Sequence, residues 1–168
     1  MLHLGGSRRC SGTSPGDLLN RFYFERLLAR VFHHDPDGWL LKGGQAMLVR
    51  YRDVRHSRDI DLCRPGAADL NEAVEAIRSA AALDLGDFVR YDYRERTETM
   101  GNRPTTRVSF RILVEPRTEG IVSVDLVVHS PLHGTPEPRR LKPSSATNAK
   151  PVISMLWRAT GHSHKPPT

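Results

Sequence analysis

Arg55-His56-Ser57-Arg58-Asp59-Ile60-Asp61-Leu62 is the stretch that decides how this chain folds and what chemistry it carries. Side chains along a strand alternate between the two faces. Asp59 and Asp61 therefore project to one side, and Ile60 and Leu62 project to the other, into a core. Two carboxylates held that close repel one another unless a positive group sits between them. A divalent cation does this, and Mg²⁺ (or Mn²⁺) takes one or two carboxylates together with substrate phosphates and water. An Asp-x-Asp pair alone also describes an acidic strand end facing water, so its surroundings decide.

Upstream, Trp39-Leu40-Leu41 reads as a short buried strand, Lys42-Gly43-Gly44 breaks it, and Gln45 to Tyr51 has the pattern of a helix start. Two glycines let the backbone approach a phosphate closely, and a following helix N-terminus offers unpaired N–H groups. A plain tight turn is the other reading of Gly43-Gly44. The Gly-x-x-x-x-Gly-Lys-[Ser/Thr] loop is absent. Downstream, Val122-Ser123-Val124-Asp125-Leu126-Val127-Val128 is strongly apolar, so Asp125 within it needs a partner. If this strand lies beside Asp59 and Asp61, three carboxylates converge in the arrangement that serves metal-assisted nucleotidyl transfer. A salt bridge from Asp125 to Arg107 or Arg111 is the alternative.

The rest of the chain supplies the frame. Residues 1–16 are rich in Gly, Ser and Arg and form a flexible lead-in. Asp17 is placed to cap a helix running through Phe32. Asp35-Pro36-Asp37-Gly38 is a turn. Asp69, with Glu72 three residues on, opens a helix to Leu83 whose apolar face is Leu70, Val74, Ile77 and Ala81. Strands are expected over Phe88–Tyr93, Thr106–Val114 and Ile121–His129. His129 to Ser145 is proline-rich and poorly patterned. Ala146 to Thr160 suggests one last helix, regular from about residue 150, before a disordered tail. This order gives a mixed α/β (α+β) domain, with a twisted mixed sheet and flanking helices over residues 17–141 and a shortened C-terminal helical region over 142–168.

Composition bounds the partners. The net charge of +6 favours polyanions such as RNA, DNA or nucleotide phosphates. Arg103, Arg107, Arg111, Arg117, Arg139, Arg140 and Lys142 make the second half basic and are candidates for RNA phosphates, with solvated strand faces as the bland alternative. Tyr91 and Tyr93 are placed to pack or to stack bases. Cys10 and Cys63 lack C-x-x-C spacing, which points to a reduced, cytoplasmic setting. No apolar run approaches the roughly 20 residues of a membrane helix, and residues 1–14 lack the apolar stretch of a secretory signal. The paired histidines have no cysteine partners at zinc-finger spacing.

Leu41-Lys42-Gly43-Gly44-Gln45-Ala46-Met47 followed by Arg55-x-Ser57-x-Asp59-Ile60-Asp61-Leu62 resembles the signature of the AbiEii/AbiGii-type toxins, the MenT-type toxins among them. These belong to the DNA polymerase β-like nucleotidyltransferase superfamily. Leu19 to Val31 resembles the helix leading into the family's first motif, and the similarity covers roughly Asp17 to Leu141. The resemblance implies a polymerase β-like core and Mg²⁺-dependent transfer of a nucleotide from an NTP to an RNA acceptor, the tRNA 3′ end in MenT-type relatives. It also implies a cognate antitoxin. Asp59 and Asp61 match the metal pair, and Gly43 and Gly44 match the glycine motif, with Lys42 and Arg58 beside these motifs as nucleotide-binding candidates. Ser57 matches a Ser/Thr position that is phosphorylated as an off switch in some relatives, where added negative charge beside the acids makes inhibition physically sensible. Lys150 matches a later lysine that contacts the triphosphate. The Arg-Asp-x-x-Asp motif that follows this lysine in the family is missing, and Glu137 is the last acidic residue. A truncated, non-catalytic remnant that binds RNA or an antitoxin is therefore the alternative. A glycosyltransferase, whose Asp-x-Asp also binds a metal–nucleotide, is weaker because Gly43-Gly44 stands so close upstream.

Overall fold

The structure, a computed structural model, describes residues 14–42, 59–99, 105–129, 137–141 and 152–156. Along these run α1 (Pro15–His34), β1 (Leu40–Lys42), β2 (Ile60–Cys63), α2 (Leu70–Ala81), β3 (Val89–Thr99), β4 (Thr105–Val114), β5 (Arg117–Val127), β6 (Glu137–Leu141) and β7 (Val152–Leu156). The strands form one seven-stranded sheet in the order β3-β4-β5-β2-β1-β7-β6. The sheet is mixed: β2 pairs with β5 and β1 with β7 in parallel, and the remaining neighbours pair antiparallel. The expected mixed α/β architecture is thus present.

Period-two alternation separates the two faces of the sheet. Val122, Val124 and Leu126 of β5 are buried, together with Ile60 and Leu62 of β2 and Val108 and Phe110 of β4. These residues meet Leu27, Leu28 and Val31 of α1 and Val74 and Ile77 of α2 in a single core. Both helices therefore lie against one face of the sheet, and the side chains between the apolar positions face the other way.

A buried cation joins α1 to the rest. Arg30, fully buried, donates from Nη1 and Nη2 to the carboxylate of Asp87 at 3.0 and 2.6 Å. It also donates to the carbonyls of Leu83, Arg26 and Val89, and its guanidinium stacks 5.1 Å from the ring centre of Tyr91. A charge this deep is tolerable only when its donors are satisfied.

Several sequence expectations shift. Ser14, not Asp17, caps α1. The Ser14 hydroxyl accepts from the Asp17 N–H at 3.1 Å, and the Asp17 carboxylate reaches back to the Ser14 backbone, so Asp17 is the third residue of a capping box with Pro15 at its start. Asp69 caps α2 as expected, but Glu72 accepts from Ala68 N–H rather than from the cap itself. β3 runs on past Tyr93 to Thr99, and β5 begins earlier, at Arg117. The last helix expected over Ala146–Thr160 is not found where the chain is described: Val152–Leu156 is a strand, and Glu137–Leu141, within the stretch with no clear pattern, is its antiparallel partner. The physical reason is the edge of β1, whose unpaired backbone groups β7 satisfies in parallel through Leu41 and Leu156. β-Branched Val152 and Ile153 suit that role better than a helix. The expected helix start at Gln45–Tyr51 lies outside the described residues.

Candidate active site

The face away from the helices carries one charged row across four strands. Lys42 of β1 stands opposite Asp61 of β2, Asp61 beside Asp125 of β5, and Asp125 opposite Arg107 of β4. Paired positions on neighbouring strands point to the same side of a sheet, so two carboxylates lie between two flanking cations. Asp59 sits immediately before β2 rather than inside it. The placement of β2 beside β5 brings the three acids Asp59, Asp61 and Asp125 to one face.

Arg107 ties them together. Its Nε and Nη2 donate to the two oxygens of Asp125, both at 2.7 Å, in a bidentate fork. Nη2 also donates to Asp59 Oδ2 at 3.3 Å. Both readings of Asp125 therefore apply at once: it joins the acidic group and it is salt-bridged to Arg107. The hydrogen bond to Asp125, with the charges of all three acids, raises the Arg107 pKa further above its ordinary value despite partial desolvation. Asp61 is displaced in the direction that crowding predicts. Burial, then the charges of Asp125 and Asp59, raise its pKa, and Lys42 and Arg107 only partly offset this.

The donors at this site are hard carboxylate oxygens, and Asp61, whose pKa is raised first by burial and then by Asp125 and Asp59, stands among like charges. Both features fit a hard divalent cation. Among the described residues no group of three or more His, Cys, Asp or Glu side chains is arranged to enclose a metal. Asp125 is held in the Arg107 fork and Asp59 by a single longer bond to the same arginine; a magnesium ion, which commonly takes only one or two carboxylates, would be held here by Asp59 and Asp61.

Beside the row, Ser109 of β4 and Ser123 of β5 face each other with their hydroxyl oxygens 3.4 Å apart. One further step along the same face, Ile121 is exposed opposite Arg111. Tyr91 is buried and donates its hydroxyl to the Tyr23 carbonyl, so it packs and does not stack on bases; Tyr93 packs edge-on against Phe110 under the guanidinium of Arg78. Of the residues singled out in the sequence, Lys42, Asp59, Asp61 and Asp125 come together. Gly43, Gly44, Ser57, Arg58 and Lys150 lie outside the described residues. Arg107 was one of two arginines the sequence offered as a partner of Asp125; the β4–β5 register selects it over Arg111, and its further bond to Asp59 is seen only in the structure.

A sheet of this order, with helices on one face and an acidic row on the other, defines a nucleotidyltransferase-type fold. The family model "Nucleotidyl transferase AbiEii toxin, Type IV TA system" matches residues 26–158, and the chain belongs to this family. Among solved structures, JHP933 from Helicobacter pylori is similar at 13% identity with a TM-score of 0.51, over 88% of this chain and 54% of that one. A second H. pylori structure, a candidate nucleotidyltransferase, aligns at 13% identity with a TM-score of 0.49, over 87% and 55%. The chain spans about half the length of these structures. No curated protein sequence matches it significantly. No helix among the described residues is long and apolar enough to cross a membrane.

Proposed function

We propose that this chain is the nucleotidyltransferase of a toxin–antitoxin pair, and that it moves a nucleotide from an NTP to an RNA acceptor, the tRNA 3′ end, in the cytoplasm. The observation that carries the reading is the in-register pairing of Asp61 with Asp125, with Asp59 reached by the same arginine, in a member of the AbiEii family. Asp59 and Asp61 would hold Mg²⁺, which when bound neutralises charge on the triphosphate and on the leaving pyrophosphate. Lys42 flanks Asp61 on the side from which the chain enters Gly43-Gly44, and so places positive charge where the triphosphate would lie. Each oxygen of Asp125 keeps a lone pair beyond its bond to Arg107, so Asp125 can accept from and orient the acceptor hydroxyl. The roles of Gly43, Gly44, Ser57, Arg58 and Lys150 come from the sequence resemblance. Positioning and charge neutralisation together make up most of the catalysis in phosphoryl-group transfers.

The test is incubation with each labelled NTP, Mg²⁺ and total tRNA, with and without the product of the neighbouring gene. Label should enter RNA with one or more NTPs, fall with that product present, and vanish in Asp59→Ala and Asp61→Ala. Undiminished labelling by either variant overturns the assignment. A non-catalytic form that binds RNA or an antitoxin is the second reading, favoured by the closed Arg107–Asp125 fork. RNA binding with no labelling from any NTP would establish it.

A further inference from the structure

We propose that Arg107 receives the phosphodiester group nearest the 3′ end of a polynucleotide acceptor and so defines the acceptor side of the site; this rests on the nucleotidyltransferase reading above. The guanidinium has five N–H donors. Three are committed: Nε and Nη2 to Asp125, and Nη2 again to Asp59. Among the described residues nothing engages Nη1, and 42% of the side chain is exposed. Asp125 and Asp59 thus hold a planar fork rigidly, with a donating edge left over, which is the geometry that suits a phosphate.

The order of the row assigns the ligand. Lys42 and Arg107 flank the two paired acids on opposite sides. On the reading above, the Gly43-Gly44 that follows Lys42 in sequence serves the nucleotide's phosphates, which gives the Lys42 flank to the nucleotide. A second substrate, carrying the attacking hydroxyl, must then come from the Arg107 flank. The next row on that flank is the small hydroxyl pair Ser109–Ser123, with Ser109 buried and Ser123 half-buried, so these two strand positions carry no large side chain. Beyond it, exposed Ile121 offers an apolar contact beside Arg111.

Binding of a short labelled single-stranded RNA with a free 3′ hydroxyl, followed by fluorescence anisotropy over a range of salt, tests this without catalysis. Arg107→Gln should weaken binding several-fold and flatten the slope of log affinity against log salt by about 0.7, the contribution of one phosphate on a single strand. Arg107→Lys, which keeps the charge, should retain most of the slope. A neutral methylphosphonate at the last linkage of the RNA should weaken binding to the wild type and leave Arg107→Gln unaffected. In the labelling assay, Arg107→Gln should raise KM for RNA and leave KM for NTP unchanged. An unchanged salt slope, equal sensitivity of both proteins to the methylphosphonate, or a rise confined to KM for NTP overturns the assignment. If Arg107→Gln fails to fold, the wild type with the methylphosphonate decides alone. Absence of labelling by the wild type counts against the nucleotidyltransferase reading, whereas the anisotropy result judges Arg107 separately.

Discussion

Asp61 and Asp125 occupy facing positions on two parallel strands, β2 and β5, so that like charges stand side by side on the sheet. Burial, Asp125 and Asp59 together raise the Asp61 pKa. An ionised carboxylate in such a place lowers the stability of the folded chain, and such costs are typical of sites kept for function.

Asp61→Asn should therefore separate activity from stability. It keeps the shape of the side chain and removes the repulsion, so the unfolding midpoint in urea should stay or rise. NTP-dependent labelling of RNA should fall about a hundredfold or more, equivalent to at least roughly 3 kcal/mol of transition-state stabilisation. A clear loss of stability would show that Asp61 serves the fold.

Asp87 should govern acid sensitivity. Burial by itself would push its pKa up, but the hydrogen bond and charge from Arg30 outweigh this and leave it below the ordinary aspartate value. A depressed carboxylate contributes stability that is present above its unfolded pKa, about 3.9, and that is lost as pH falls through the folded value. Urea midpoints should thus drop as pH falls below about 4. Asp87→Asn strands the buried Arg30 charge and should cost about 3–5 kcal/mol at neutral pH. That variant should show a shallower loss on acidification. A pH profile parallel to the wild type would remove Asp87 from this role.

Ser14 should matter locally. Its hydroxyl caps α1, but residues 14–20 are exposed and pack little against the sheet. Ser14→Ala should cost about 1 kcal/mol in the first turn. Amide exchange at Asp17 and Leu18 should quicken, with little change in the global unfolding midpoint, because that turn can fray without opening the core. A large drop in the midpoint would mean that the first turn is coupled to the core.

Much of this was legible in the sequence, and what was missed has a common cause. The alternating valines and leucine of β5 fixed which way Asp125 faces, and Asp69 marked the start of α2, because both signals are local. Which strand lies beside β2 is not local: a helix and two long strands intervene before Asp125 pairs with Asp61. The choice of Arg107 over Arg111 as the partner of Asp125 depends on a second register, that of β4 against β5. β7 was missed because its strand character comes from the open edge of β1 rather than from a pattern of its own. Ser14 and Asp17 do have the spacing of a capping box, with aspartate in place of the usual glutamate, and serine and aspartate rank about equally as lone caps, so residue type alone does not choose between them.

Gly38 should prove intolerant of any side chain. Its N–H donates to Asp35 Oδ1 at 3.0 Å, closing the Asp-Pro-Asp-Gly turn into β1. A Cβ there would run into the Asp35 carboxylate and Arg64 Nη1. Those two groups form an ion pair at 2.7 Å, and the Arg64 guanidinium stacks 4.9 Å from the ring centre of buried Trp39. Gly38→Ala must therefore either push the pair apart or shift the turn, at a cost of about 1–3 kcal/mol. Asp35→Ala should also destabilise, but it removes the carboxylate the new methyl would strike. The double variant should consequently be less destabilised than the sum of the two single changes, since residues sharing a contact couple. Thermal unfolding of the four proteins measures that coupling. Simple additivity would mean that the turn relaxes without disturbing Asp35 and Arg64.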